Sequence, residues 1–441
     1  MLRPLIFKTL ITNFGITFLG LVNSVLLSRW LGPTGRGEVA AAMLWPTLLI
    51  YLSSMGLIGA TLYFAALPES RSQPLFANLT VMGILQGIAA VAFGFIALPW
   101  LLSSQNSGVV SAGRLYLLVI PISLITQYGV GILQGRMRIA SFNWLRMVVP
   151  VGYLSGTIVL AAKGELTLRN IIFLHLFLSV VAFAGTLIAL YRAGENFGFK
   201  TDGHLAKRIL KFGAKAHIGN ISGLANNSLD QVLMAAMLPP ATLGLYVVAV
   251  SAATVSQVFS QAVQMVSAPS ITQRESASER AAALQSIFRR YWLFSILITL
   301  VIAGLLPFVI PIVFGSGFKG SVLPAEILLV GSLFLGAQGV LASGASALGN
   351  PWLVSKAQLW ALIVTVILLY LLLPVIGIIG AAIASTVAYA TQLIVIIYGL
   401  YSTHHISPTE LFRINIKDLS AVLNISDLIR GRSGRLLSDQ G

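Results

Sequence analysis

Apolar stretches long enough to cross a bilayer recur along this chain, and they constrain its fold more than any other feature. The run Leu359–Leu373 is one of them. A bilayer core takes about 20 apolar residues per helix. Twelve stretches qualify: 5–28, 38–64, 75–102, 113–134, 142–162, 169–191, 212–238, 242–268, 291–314, 322–347, 354–373 and 376–401. Hydrocarbon leaves no water to satisfy open backbone groups, so spanning segments are helices or closed barrels. Barrel strands alternate apolar and polar over about ten residues, and these runs do not alternate. The expected fold is therefore an all-α polytopic membrane protein with twelve transmembrane helices. Composition agrees: 57% of residues are hydrophobic and 9% charged, with mean hydropathy +0.89. That excludes an ordinary soluble globule, which carries about 25% charge, and it excludes disorder.

The 28 Lys and Arg exceed the 13 Asp and Glu by 15. In a soluble chain this would point to nucleic acid. Here the cations fall between apolar spans, so they read as topology signals and contacts with membrane lipid heads, with no nucleic-acid partner expected. With the N-terminus inside, 22 cations fall on the cytoplasmic side and six outside: Arg29, Arg36, Arg114, Lys163, Arg169 and Lys319. An even span number puts both termini in the cytoplasm. No Cys is present, which excludes disulfides and thiolate chemistry. The first apolar segment is too long for a signal-peptide core.

The polar connector after the sixth span divides the chain. The expected organisation is an N-terminal six-helix bundle at 1–195, a connector at 196–211, a second bundle at 212–402 and a cytoplasmic tail at 403–441. A repeat supports this division. Leu31-Gly32-Pro33 through Gly37 recurs at an offset of 207 as Leu238-Pro239-Pro240 through Gly244, and Asn13 falls on Asn220. In each copy Pro stops a helix and Gly lets the chain turn. Six spans per half, both starting inside, make the halves parallel repeats around a central cavity, an arrangement transporters use for alternating access. Gly83 with Gly87 and Gly152 with Gly156 read as packing seams. Pro46, Pro121, Pro307 and Pro311 are expected to kink their spans.

Catalytic machinery is not apparent. There is no P-loop, no HExxH and no nucleophile triad, and the longest outside loop, around Ser103–Gly113, carries neither acid nor His. Neither an enzyme nor a cofactor is expected. Polar residues within spans carry the information instead, because each is costly in hydrocarbon. Asn220, Asn227 and Asp230 share one face of the seventh span, with Asn226 beside them. Asp230 reads either as a cation, proton or sugar contact or as a carboxylate hydrogen-bonded between helices. Gln257, Gln261 and Gln264 form a stripe on the eighth span, suited to sugar hydroxyls or to helix–helix bonding. His175, alone in the sixth span, reads as a packed polar residue ahead of the alternative, a proton relay. Arg136, Arg138, Arg146, Lys211 and Lys215 lie near the cytoplasmic mouth, where they would meet a pyrophosphate or simply set topology. Arg29 either snorkels to headgroups or guards an outward mouth. In the tail, Ser407-Pro408-Thr409-Glu410 reads as a capping box ahead of an amphipathic stripe at Phe412, Ile416, Leu419 and Leu423.

The run Leu26-Leu27-Ser28-Arg29-Trp30-Leu31-Gly32-Pro33-Thr34-Gly35-Arg36-Gly37-Glu38 resembles the N-terminal signature of bacterial polysaccharide-biosynthesis flippases. These are the O-antigen-type members of the multidrug/oligosaccharidyl-lipid/polysaccharide exporter superfamily. In the second half, Leu229-Asp230-Gln231-Val232-Leu233 with Pro240 and Gly244-Leu245-Tyr246 resembles the repeated motif. The resemblance implies two bundles forming a V-shaped cavity in the bacterial inner membrane. It implies a polyprenyl-pyrophosphate-linked oligosaccharide as substrate, with glycosyltransferases or a polymerase of the pathway as neighbours. A cation-coupled multidrug exporter of the same superfamily and a membrane-embedded polymerase or ligase are the alternatives.

Overall fold

The computed structural model describes residues 2–68, 74–195, 197 and 200–413. No strand occurs among them. The helices are α1 (Leu2–Ser53), α2 (Leu57–Ala66), α3 (Leu75–Leu101), α4 (Ser107–Tyr116), α5 (Val119–Gly135), α6 (Ile139–Ala162), α7 (Leu168–Arg192), α8 (Gly203–Met237), α9 (Pro240–Thr272), α10 (Ala277–Val313), α11 (Val322–Ala347), α12 (Pro351–His404) and α13 (Pro408–Phe412).

Nine helical stretches among the described residues are long and apolar enough to cross a membrane. Two of them hold two spans each. Gly32 (φ 66°) breaks α1 ahead of Pro33, and Gly377 (φ 58°) breaks α12 after Pro374. An L side chain is disfavoured at those angles, so glycine is what permits both breaks. They raise nine stretches to eleven, and α8, 35 residues long but more polar, has the length for a twelfth. The chain is a multi-pass membrane protein.

Several boundaries differ from the sequence expectation. The second span is interrupted at Ser54–Gly56, so α2 is a separate short helix. The expected outside loop at 103–113 is mostly helix, because Asn106 caps α4 by accepting from the Val109 amide at 2.9 Å. The connector shortens for the same reason: Asp202 accepts from the His204 and Leu205 amides and starts α8 at Gly203. The capping box at Ser407 does not form. Its hydroxyl pairs with Thr409 instead, while the Glu410 carboxylate accepts from Gln285 and the Glu410 carbonyl accepts from Arg289. Phe412 packs on Phe288 and Trp292, and Ile416, Leu419 and Leu423 lie outside the described residues.

Two compact units emerge. The first takes the chain through Ser251 together with Phe308–Ala325 and Leu369–Ala381; the second takes Ala252–Pro307, Glu326–Leu368 and the chain from Ala382. In the first, the glycine pairs form helix seams as expected: Gly83 and Gly87 lie against Tyr128 and Pro121 of α5, and Gly152 and Gly156 against Leu178 and Leu174 of α7. His175 is packed between Tyr116, whose hydroxyl is 3.1 Å from Nδ1, and the ring of Tyr153. The core of the second unit gathers Leu284, Phe288 and Tyr291 of α10 with Val340 and Leu341 of α11 and Ile396 and Leu400 of α12.

Candidate functional site

The first unit brings the two copies of the repeat together. The Gly37 and Gly244 backbones abut, and Gly317 comes up against Pro33. Arg29 reaches this place from the end of the first span. Its Nε donates to the Val313 carbonyl at 2.7 Å and its Nη2 to the Ile312 carbonyl. Those are the last carbonyls of α10, which have no helical partners of their own. A guanidinium there satisfies them and complements the helix dipole.

Asp230 lies buried near the end of α8. Its Oδ2 accepts from the Tyr246 hydroxyl at 2.6 Å, and its Oδ1 from the Gln231 amide at 2.7 Å. Tyr246 stands on α9, beyond the Pro239–Pro240 turn, so this bond fastens the two helices across the turn. Ser103, Ser104 and Gln105 donate to the carbonyls of Ala236, Ala235 and Leu238 and cap the same helix end. Asn226 is buried one turn earlier on α8. The side chains of Asn220, Asn227 and Lys215 lie outside the described set.

In the second unit the amide stripe of α9 divides. Gln257 donates to the Ser332 carbonyl of α11 at 2.7 Å, and the Gln264 amide lies over Gly339, seven residues further along the same helix. Gln261 is exposed. Ser260 pairs with Tyr291 at 2.8 Å. Two of the three amides therefore serve helix packing.

The mouth cations separate as well. Arg136 forms an ion pair with Glu195 at 2.7 Å, both side chains buried, and donates to the Ala65 carbonyl at 3.1 Å. That binds the ends of α5, α2 and α7. Arg146 lies over the Phe142 ring at 5.0 Å, and Arg138 and Lys211 are exposed.

The sequence reading missed Arg36, which it counted as an outside cation. Arg36 instead lies within α1, just past the break, with an enclosed Nε that has no hydrogen-bond partner. Its Nη2 lies 3.4 Å from the Ser24 hydroxyl, which is 3.1 Å from the Ser251 hydroxyl on α9. Asn23, Ser24 and Ser28 of the same helix are buried, and Tyr153 of α6 is an electrostatic neighbour of Arg36. No carboxylate is within ion-pair distance of Arg36 among the described residues. The signal that could have found it was Asn23, Ser24 and Ser28, a polar cluster on the helix that Gly32 folds back against Arg36.

Comparisons with known proteins bear on the family and the fold. A family model described as polysaccharide biosynthesis protein matches residues 6–275. The probable low-salt glycan biosynthesis flippase Agl15 of Haloferax volcanii is 23% identical over 269 residues, which is 60% of this chain and 56% of that protein. The chain thus spans little more than half of that relative's length. Among solved structures, the lipid II flippase MurJ in an inward closed conformation superposes with a TM-score of 0.74 at 16% identity, over 94% of this chain and 91% of that one. A multidrug resistance MATE family transporter of the MOP superfamily, inward-facing, also gives 0.74 at 13% identity, over 89% and 95%. Both structural likenesses are of fold.

Proposed function

This chain belongs to the polysaccharide biosynthesis protein family, and from that premise we propose that it is a flippase for surface polysaccharide assembly. It carries a polyprenyl-pyrophosphate-linked oligosaccharide from the cytoplasmic to the periplasmic leaflet of the bacterial inner membrane by alternating access, with both termini cytoplasmic. A sugar-pyrophosphate head cannot cross hydrocarbon unaided, because its charges and hydroxyls would be stripped of water. A polar path between bundles lets the head pass while the polyprenyl tail stays in lipid. We assign no catalytic step and no cofactor to the chain.

Arg36 is the observation that carries this reading. A cation held inside a membrane bundle without an acid beside it is costly, and an anionic ligand would offset that cost. The planar fork of Arg suits phosphate oxygens, which it binds two at a time. Pyrophosphate is the anionic part of the proposed substrate. In this reading Arg36 takes the role that the mouth cations were expected to fill, with Ser24 and Ser251 extending the polar path. Asp230, held by Tyr246, acts as a helix fastener in this scheme. The exporter alternative would need it as a titrating acid.

Depletion tests the proposal. Lipids extracted from depleted cells are analysed by mass spectrometry, and sidedness is read with a membrane-impermeant sugar-modifying reagent. The expected result is lipid-linked oligosaccharide accumulating on the cytoplasmic side with surface polysaccharide lost. No accumulation, together with new sensitivity to cationic drugs, would overturn it in favour of the exporter.

A further inference from the structure

A second feature of the first unit includes Glu38, two residues beyond Arg36 on α1. It is a cavity of about 600 Å³ between α1, the start of α4 and the start of α7, with Glu38, Asn106, Ser111, Thr167 and Arg169 set in a wall that is otherwise largely apolar, including Leu115, Leu168 and Phe173. We propose that this cavity binds a sugar residue of the transported glycan. The proposal rests on the flippase reading and adds to it a carbohydrate subsite distinct from the pyrophosphate contact.

The polar groups on this wall suit a polyol, and its apolar part suits the C–H face of a sugar ring. The Asn106 amide donates to one oxygen of Glu38 at 2.8 Å while its own carbonyl caps α4, so the carboxylate is held in a fixed position with its other oxygen uncommitted among the described residues. A carboxylate accepts from two neighbouring hydroxyls at once, and a guanidinium donates to two. Arg169 supplies the guanidinium; it stands over the Phe173 ring at 5.5 Å and makes no ion pair among the described residues. The Phe173 ring is 45% exposed and offers an apolar plane to the C–H face of a pyranose. Ser111 and Thr167 add hydroxyls that both donate and accept. The volume falls in the range of small-ligand sites, roughly 300–1,000 Å³. A smaller cavity of about 420 Å³, lined by Gln105, Ser107 and Arg114 together with Pro99, Leu102 and Val110, shares Ser111 with the first and lies beside it along α4. That adjacency suits a chain of sugars more than a single small molecule.

Other occupants fit less well. Among the described residues no group of three His, Cys, Asp or Glu could hold a metal ion. A phospholipid phosphate would gain one cation here but would stand beside the Glu38 carboxylate, where like charges repel. A neutral sugar meets no such conflict and uses both charged groups.

Saturation-transfer NMR on the full chain in lipid nanodiscs tests the assignment. The probes are the methyl glycosides of glucose, galactose, mannose, rhamnose and N-acetylglucosamine at millimolar concentration. At least one is expected to show transfer. Glu38→Gln should lower its affinity at least about tenfold, the scale of a lost charged hydrogen bond, and Phe173→Leu by a few-fold to about tenfold, the scale of a lost aromatic contact. Phe173→Trp, which keeps the aromatic plane, should retain binding, an outcome that a purely structural role for the ring does not require. Absence of transfer from every glycoside, or equal transfer to wild type, Glu38→Gln and Phe173→Leu, would overturn the proposal. So would native mass spectrometry showing a phospholipid retained by wild type and lost in Arg169→Gln. In each of those cases the depletion phenotype stands or falls independently, so failure of the sugar subsite is distinguishable from failure of the transport reading.

Discussion

Gly37 and Gly244 abut each other backbone to backbone. A Cβ on Gly37 would come within 2.9 Å of the Gly244 nitrogen and overlap the Pro240 carbonyl, while a Cβ on Gly244 would come within 3.0 Å of the Gly37 nitrogen and overlap the Pro33 carbonyl. The contact is reciprocal, and both pairs stand 207 residues apart in the chain. The repeat seen in the sequence is therefore a local two-fold relationship in space, where two Pro-initiated helices cross at a distance only glycine allows.

Gly37→Ala and Gly244→Ala should each lower stability by about 1–3 kcal/mol, since inserted methyl groups force the backbones apart. The double variant should cost less than the sum, because one separation relieves both clashes. Gly20→Ala, with nothing within 4 Å, should be neutral or slightly stabilising. Thermal unfolding in nanodiscs measures all four.

Tyr246→Phe removes a donor from the buried Asp230 carboxylate and should cost about 1–3 kcal/mol. Asp230→Asn keeps an acceptor for Tyr246 and should therefore support surface polysaccharide at near wild-type levels in a complementation assay. Loss of transport in a stably folded Asp230→Asn protein would instead assign the charge itself a role.

Removing one partner of the buried pair Arg136–Glu195 leaves an uncompensated charge and should cost about 3–5 kcal/mol. Arg136→Gln combined with Glu195→Gln should recover part of that loss. A double-mutant cycle on unfolding free energies reads the coupling.

Gln257→Ala should lower stability by about 1 kcal/mol through the lost bond to the Ser332 carbonyl. Gln261→Ala, at an exposed position, should stay within about 0.5 kcal/mol of wild type. If Gln261 lines the transport path, its variant slows flipping without loosening the fold, which paired stability and flipping assays separate.

Much of the fold was legible because membrane helices are set by length and apolarity, which are local. Leu359–Leu373 needed no partner to be read. The turn at Gly32-Pro33 was legible because Pro and Gly act on their own backbone. What escaped was decided by partners distant in sequence. Glu410 reads as a capping residue until Gln285 is seen to engage it, and Arg29 reads as an interfacial cation until the end of α10 arrives against it. Arg36 was hidden for a related reason. Positive-inside bookkeeping treats a cation near a turn as solvent-facing, whereas the break at Gly32 folds this one back against Ser24. The Gln257 spacing correctly marked one helix face, but spacing alone does not say whether a face meets a cavity or another helix.

The most direct test of the central claim is a flipping assay on purified protein in proteoliposomes loaded with the lipid-linked oligosaccharide from depleted cells. Wild type, Arg36→Lys and Arg36→Gln are compared by the fraction of glycan that becomes accessible to an impermeant sugar-modifying reagent. The account predicts flipping by wild type, partial activity in Arg36→Lys, which keeps the charge without the fork, and at least about tenfold slower flipping in a folded Arg36→Gln, the scale of a lost charged contact. Equal rates for all three proteins would contradict the role of Arg36, and no flipping by wild type would contradict the function itself.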